Sequence, residues 1–406
     1  MRIFLIDKDK QYLYNDLLHK INQAQSYYPL LKTNSLFDLF SNIIIALLYN
    51  KPLMLLDSDL NQDEVEGVDE KMINISQGLP TSMTYSSMGD VIEKIQMSDS
   101  ELTIFTSGTT GQPKKVIHSI ATLARSVKVG DRYEDQVWAF AYNPTHMAGL
   151  QVFFQAFENL NTLVNLFKFS RVDIYDAIEK YRITHISATP TFYRLLLPFE
   201  KDYENILRVT FGGEKSDEKL YNSILRIFPN AKLNNIYAST EAGSLFVSKG
   251  EFFQIPVSLM DKIKVENDEL LIHKSLLGIS DSFEFSGDYY KTGDLIEWMN
   301  KEVGYFRFKS RKNELINVGG YKVNPGEVEN FISQIPGIQQ VLVYGKTNSV
   351  LGNILCAEIK LEKNGVVSDL NVRQYLNDKL QDFKIPRIIK FVESFSMTRT
   401  GKIKRL

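Results

Sequence analysis

The stretch Thr162–Ala188, TLVNLFKFSRVDIYDAIEKYRITHISA, decides the fold class. It opens on the apolar run Thr162–Phe167 and closes on a second, His185–Ala188, both of strand character. Between them Ser170 stands where a helix cap belongs, with Asp173 three residues on. Ile174, Ala177, Ile178 and Tyr181 then recur at i, i+3, i+4 and i+7, which is one face of a helix. Strand, helix and strand in that order make a βαβ unit, whose two strands run parallel. The pattern extends both ways. Val137–Ala141 and Arg208–Phe211 read as further strands, and Lys219–Phe228 places Leu220, Ile224 and Phe228 on one helical face. Upstream, an apolar helical segment, Leu36–Leu48, precedes the strand candidates Leu53–Leu56 and Leu102–Phe105. The acidic, polar stretch Asp57–Lys71 reads as a surface loop or a solvated helix face.

Beyond Phe252 the pattern changes to short strands with polar breaks, such as Glu269–His273, up to Trp298. After Arg311 a new compact unit begins: a strand-turn (Leu315–Val323), a helix (Pro325–Gln334), two strands (Val341–Tyr344 and Ile354–Leu361), a helix (Ser368–Leu380) and a last strand (Ile388–Val392). The expected fold is therefore α/β. A large N-terminal domain of helix-covered, mainly parallel sheets with a β-rich subdomain spans residues 1–312, and a small α+β C-terminal domain spans 313–406.

Composition removes several function classes. Over 406 residues, 44% are hydrophobic, enough for a sizeable core, so a disordered chain is excluded. The formal net charge of −2 gives no electrostatic ground for nucleic acid or an acidic membrane as partner. One cysteine, Cys356, excludes an internal disulfide, and its simplest reading is a small buried residue on a strand. Five histidines without metal-site spacing argue against a histidine-rich metal centre. The longest apolar run, Ile43–Leu48, is far short of the ~20 residues that span a membrane. The opening MRIFLIDKDK lacks the pattern of a secretory signal, so a cytoplasmic protein is expected.

The strongest local motif follows the strand Leu102–Phe105: Thr106-Ser107-Gly108-Thr109-Thr110-Gly111-Gln112-Pro113-Lys114-Lys115. Glycines let a backbone turn sharply and approach an anion. Four hydroxyls with the backbone N–H groups can surround phosphate oxygens, and Lys114 adds charge. No G-K-[ST] follows, so this is not a Walker loop. Further motifs occur downstream: Asn143-Pro144-Thr145-His146-Met147-Ala148-Gly149, Phe211-Gly212-Gly213-Glu214, Asn235-Ile236-Tyr237-Ala238-Ser239-Thr240-Glu241, Tyr290-Lys291-Thr292-Gly293-Asp294, Gly304–Asn313, Val318–Glu329 and Met397–Arg405. Taken alone, His146 would be an ordinary structural histidine, Thr240-Glu241 a helix N-cap, and the basic tail solvated.

Together, in this order and at roughly this spacing from Glu101 to the end, they resemble the adenylate-forming acyl ligases. That superfamily includes acyl- and aryl-CoA synthetases, luciferase and the adenylation domains of peptide synthetases. The resemblance implies an ATP-dependent, Mg²⁺-requiring enzyme that makes an acyl-AMP, releases pyrophosphate and then transfers the acyl group to a thiol. It implies that the hydroxyl loop (Thr106, Ser107, Gly108, Thr109, Thr110, Gly111 and Lys114) cradles the phosphates. It implies that Thr240 bonds the α-phosphate and that Glu241 holds Mg²⁺. Tyr237 and Ala238, with Gly213 and Glu214, would line the adenine side, and Asp294 and Arg311 would meet the ribose. His146 would line the acyl site with Phe211 and Gly212 and gate the thiol. Lys402 would be the mobile catalytic lysine, Asn313 the interdomain hinge, and Gly320 a neighbour of the pantetheine channel. In the family the small domain rotates about the hinge between the two half-reactions.

Several positions depart from the family pattern. Ala238 and Ser310 replace glycines, Asn313 replaces an aspartate, and Lys115 stands where glycine is usual. About 105 residues precede the hydroxyl loop, which implies a trimmed N-terminal subdomain. No aspartate lies in Asn143–Gly149, where amino-acid-activating members carry one, so an aryl or short-to-medium acyl carboxylate is the expected substrate. The acceptor is coenzyme A or the phosphopantetheine of a carrier protein, between which the residues do not choose. A non-catalytic nucleotide-binding relative would be expected to lack Lys402, Glu241 or Asp294, and all three are present.

Overall fold

A computed structural model describes residues 2–59, 68–80, 83–105, 114–214, 216–250, 252–318, 320–348, 352–397 and 403. They cluster into two compact units, the first from Met1–Lys262 with Ile272–Tyr290, the second from Ile263–Leu271 with Lys291–Thr398.

The first unit is built on the parallel sheet that the βαβ pattern predicts. Six strands lie side by side in the order Lys232–Ser239, Arg208–Gly212, His185–Ala188, Val137–Phe140, Thr162–Asn165 and Ile3–Asp7, all parallel. Antiparallel neighbours, Gly243–Lys249 and Lys10–Leu13, flank this run at either side. A second, smaller sheet joins Leu30–Lys32, Leu53–Leu56 and Leu102–Phe105 in parallel, and Lys115–His118 returns antiparallel with Phe105 opposite Lys115.

Helices cover both faces of the main sheet. On one face Ile174 and Ile178 of Arg171–Lys180 and Leu220 and Ile224 of Glu218–Ile227 pack with Val164, Ile186, Val209 and Phe211. On the other, Leu36–Leu48 and Met147–Phe157 fill a core shared with the smaller sheet, and the Phe40 and Phe153 rings stack with centroids 4.2 Å apart. Leu36–Leu48 is buried along nearly all its length, with Asp38 exposed in its first turn, which is why its composition is so strongly apolar. Its start is fixed by Ser35, which accepts the Asp38 N–H at 3.2 Å, and Ser170 does the same for Asp173 at 3.3 Å, as the cap pattern predicts.

The second unit holds the strand Ile263–Glu266, residues 269–271 and 291–300 of the next two strands, the strand Tyr305–Arg311, and a separate five-stranded sheet. In that sheet Ile316–Val318, Gly352–Leu361, Ile338–Asn348 and Ile388–Phe391 pack against helices Pro325–Ser333 and Asp369–Asn377 through Val328, Ile332, Val372 and Leu376. Cys356 is buried on the strand Gly352–Leu361, and burial pushes its thiol pKa up. Among the described residues no helix is long and apolar enough to cross a membrane.

Candidate active site at the carboxyl edge of the sheet

In open α/β sheets ligands bind in the crevice outside the carboxyl ends of the parallel strands, where neighbouring loops diverge. The described candidate residues of the first unit fall at that edge. Asn143–Gly149 follows Val137–Phe140, Gly213 and Glu214 follow Arg208–Gly212, and Thr240 and Glu241 follow Lys232–Ser239. The loop 106–113 follows Leu102–Phe105 in the smaller sheet. Its residues Thr106, Ser107, Gly108, Thr109, Thr110 and Gly111 lie outside the described residues, as does Lys402; Lys114 is described and exposed.

Thr240-Glu241-Ala242 is the tip of a hairpin: Ser239 and Gly243 pair across it, and Ala242 N–H donates to Ser239 Oγ at 3.1 Å. The helix cap that an isolated Thr-Glu pair suggests does not form, because the chain leaves a parallel strand and returns antiparallel. Both residues are half-buried. Two positions back along the strand from Ser239, the Tyr237 ring stacks on Phe246 of the returning strand, with centroids 5.5 Å apart and planes 14° apart.

Glu214 turns to the start of the helix Pro190–Leu195, where one carboxylate oxygen accepts the Thr191 N–H at 3.0 Å and hydroxyl at 2.7 Å. Gly213 has φ +80°, which a side chain would resist. A Cβ on Gly212 would stand 3.1 Å from the Tyr142 hydroxyl, and Phe211 is fully buried between Tyr193 and Tyr221. Phe211 therefore supports this strand end from the core.

His146 caps the helix Met147–Phe157 in position, without a side-chain capping bond. Its Nε2 lies 3.0 Å from Oδ2 of Asp57, and the other Asp57 oxygen accepts the Thr145 hydroxyl. Thr145 N–H also donates to Asn143 Oδ1 at 3.0 Å. Burial would raise the Asp57 carboxyl, but hydrogen bonds from His146, Thr145 and Asn143 and the imidazole charge outweigh it and hold it below the usual carboxylate range. A solvated surface role for Asp57, expected from the polar stretch it opens, is thus overturned. The tight turn also explains Gly149, where a Cβ would stand 2.3 Å from the Asn143 carbonyl oxygen.

In the second unit Asp294 and Arg311 lie directly opposite each other on paired strands, and Arg311 Nε donates to Asp294 Oδ1 at 2.6 Å. The Asp294 side chain is 7% exposed and the Arg311 side chain 44%. Thr292 is fixed by its hydroxyl donating to the Leu270 carbonyl at 2.7 Å. The carboxylate of Glu269 accepts Gly293 N–H at 2.9 Å and the Lys312 ammonium at 2.6 Å. Asn313 lies in the short turn Lys312–Glu314. Gly320, at φ +90°, donates its N–H to Asn317 Oδ1 at 3.0 Å.

Two carboxylates, the half-buried Asp57 and the buried Glu269, were not picked out by sequence reasoning. For Asp57 one signal existed: it directly follows the strand Leu53–Leu56, at the carboxyl end where site residues collect. Glu269 carried none, since it sits in an apolar run whose partners come from more than 20 residues away.

This arrangement defines the class: an α/β protein with hydroxyl, carboxylate and imidazole groups gathered at the carboxyl edge of a parallel sheet. The chain belongs to the AMP-binding enzyme family, which matches residues 44–266, and the C-terminal domain of AMP-binding enzymes matches residues 327–402. It is 26% identical over 373 residues to 4-hydroxybutyrate–CoA ligase 1 of Metallosphaera sedula, covering 80% of this chain and 65% of that protein. It is 26% identical over 330 residues to the 2-succinylbenzoate–CoA ligase of Staphylococcus aureus, covering 74% of this chain and 65% of that one. The chain thus spans just under two thirds of the length of these relatives. Its fold is similar to that of the o-succinylbenzoate CoA synthetase of Bacillus subtilis in complex with the acyl-adenylate OSB-AMP, with a TM-score of 0.73 at 20% identity over 99% of this chain and 94% of that one. The same enzyme in complex with ATP and magnesium gives a TM-score of 0.74 at 19% identity, covering 99% and 95%.

Proposed function

We propose that the protein activates an aryl or acyl carboxylic acid with ATP, forming acyl-AMP and releasing pyrophosphate, and then transfers the acyl group to coenzyme A with release of AMP. The observation that carries this reading is the gathering of His146, Glu214 and the Thr240-Glu241 hairpin at the carboxyl edge of one parallel sheet. Family membership supports it, as do curated relatives whose names are those of CoA ligases. Those names favour coenzyme A over a carrier protein as acceptor.

A carboxylate attacking an α-phosphate meets charge repulsion, so catalysis is mostly positioning and neutralisation. No general base is needed, because the nucleophile is already ionised. Thr240 would bond the α-phosphate, and Lys402 would bridge it and the incoming carboxylate. Glu241 fits a Mg²⁺ site: Mg²⁺ takes one or two carboxylates and completes its shell with phosphate oxygens and water, and a half-buried carboxylate on a hairpin tip suits that set. The ion, when bound, would neutralise charge on the departing pyrophosphate. Asp294, held by Arg311, would accept from the ribose hydroxyls. Within the hinge reading, Asn313 divides the core, residues 1–312, from a mobile domain, 313–406, that carries Gly320 and Lys402.

A hydroxylamine-trapping screen with ATP over aryl and short-to-medium acyl acids tests the reading and names the substrate. Hydroxamate should form with at least one of them, and coenzyme A should then outpace a holo carrier protein as acceptor. ATP binding without turnover of any acid would reverse the conclusion.

A further inference from the structure

Each of the three consecutive carbonyls of the Thr240-Glu241-Ala242 tip is met by a donor from outside the hairpin. His118 Nε2 lies 2.9 Å from the Thr240 oxygen, Gly278 N–H donates to the Glu241 oxygen at 2.8 Å, and an Arg125 Nη donates to the Ala242 oxygen at 2.6 Å. The same Arg125 nitrogen donates to the Leu276 carbonyl at 2.9 Å, which ties segment 276–278 to the hairpin.

We propose that His118 and Arg125 are positioning residues for adenylation: with the Gly278 amide they clamp the backbone of the hairpin tip and so fix where the Thr240 hydroxyl and the Glu241 carboxylate stand. This rests on the adenylation reading above.

Four observations support it. His118 is 1% exposed, so its ring has a fixed setting. Burial, with the charge of Arg125 adding to it, pushes the His118 pKa down to about 4, so the imidazole is neutral at pH 7 and carries a single N–H. The Thr240 carbonyl can only accept, so that hydrogen is on Nε2. The Nδ1 edge is closed by Gly278, where a Cβ would stand 2.5 Å from His118 Cε1 and 2.8 Å from Nδ1; any larger residue would push the ring off its carbonyl. Finally, the strand that carries the imidazole is locked to segment 276–279 by paired bonds between Ile117 and Ile279, at 2.9 and 2.8 Å.

The geometry has a consequence for chemistry. The strand Lys115–His118 begins at the exit of the hydroxyl-rich loop and ends at His118. Four residues of strand span about 13 Å. One short strand thus joins, along the chain, the loop proposed to cradle the phosphates to the residues proposed for the α-phosphate and Mg²⁺. A catalytic group displaced by about 1 Å can cost on the order of 100-fold. An unclamped three-residue tip would be free to shift by that much.

The test compares His118→Met, which keeps bulk without a donor, with His118→Gln, whose amide keeps an N–H at similar reach, in the full-length protein. Acid-dependent exchange of labelled pyrophosphate into ATP is measured against Mg²⁺ and against acid. His118→Met should lower kcat about 10–100-fold and raise the Mg²⁺ concentration for half-maximal rate, with the KM for the acid little changed. His118→Gln should stay within about threefold of wild type. Equal losses in both variants, or a wild-type rate in His118→Met, would overturn the proposal. Arg125→Met supplies the same comparison should His118→Met not fold. If the wild-type chain shows no exchange with any acid, the adenylation reading fails, and the clamp is decided by the crystal structure of His118→Met: a displaced Thr240–Ala242 tip upholds it, an unmoved tip refutes it.

Discussion

Asp57 and His146 show how a residue gains a function from a neighbour far away in the chain. The imidazole of His146 is bonded at Nε2 by a carboxylate 89 positions upstream, so its ring plane is set by Asp57. Replacing Asp57 with Asn keeps the size and removes the charge that orients the ring. If His146 lines the acyl site, Asp57→Asn should slow coenzyme A attack on a synthetic acyl-adenylate by about 10-fold or more, an outer-shell effect of the usual size. Its ATP–pyrophosphate exchange should fall less; an equal fall in both would show that Asp57 serves folding alone. Lys402→Ala should give the opposite split, losing exchange by at least about 100-fold while transfer from preformed acyl-adenylate persists. Rapid-quench assays of the two half-reactions read both variants. At this scale the sequence was only partly legible. His146, Thr240 and Glu241 stand in motifs and can be read along the chain. His118 and Arg125 act through partners more than 100 residues distant, and no local pattern marks them. Asp57 acts through a partner 89 residues away and is marked only by its place just after the strand Leu53–Leu56.

Elements were far more legible than contacts, and the reason is periodic burial. The helix Arg171–Lys180 and the strand His185–Ala188 came out where the apolar spacing put them, because each buries one predictable set of side chains. The hairpin between Lys232–Ser239 and Gly243–Lys249 was not foreseen, since the first strand is half-buried along nearly its whole length and shows no clear alternation. The turn before Met147–Phe157 shows how an element depends on one small residue. Gly149→Ala would drive a methyl group against the Asn143 carbonyl oxygen, and neither backbone can yield cheaply. The expected cost is about 1–3 kcal/mol of folding stability, read as a lower urea midpoint, together with a displaced His146 and a slower thioester step. An unchanged midpoint would mean that this turn is looser than its geometry indicates.

At the scale of the whole molecule, buried histidines link stability to pH. His185, packed on the Trp138 ring with centroids 4.8 Å apart, is pushed down to about 4 by burial and by Arg208, and His118 is pushed to the same value. As pH falls from about 6.5 to about 4, the unfolded chain takes up protons at these sites that the folded chain refuses. Stability is therefore fully present above that window and is lost as pH falls through it. Each histidine contributes a slope of up to about 1.4 kcal/mol per pH unit. Burial-raised Glu158 works in the opposite direction and reduces the net slope. His185→Gln should flatten the dependence of unfolding free energy on pH between 6.5 and 4.5 by about one histidine's share. A slope identical to wild type would show that His185 titrates normally in the fold.

The whole interpretation comes down to whether pyrophosphate is released reversibly when an organic acid is joined to AMP. Labelled pyrophosphate should enter ATP only when a suitable aryl or acyl acid and Mg²⁺ are both present, and the label should stop entering when either is withdrawn. Labelling that ignores the acid, or none with any acid while ATP still binds, would contradict the assignment of this sheet edge to adenylation.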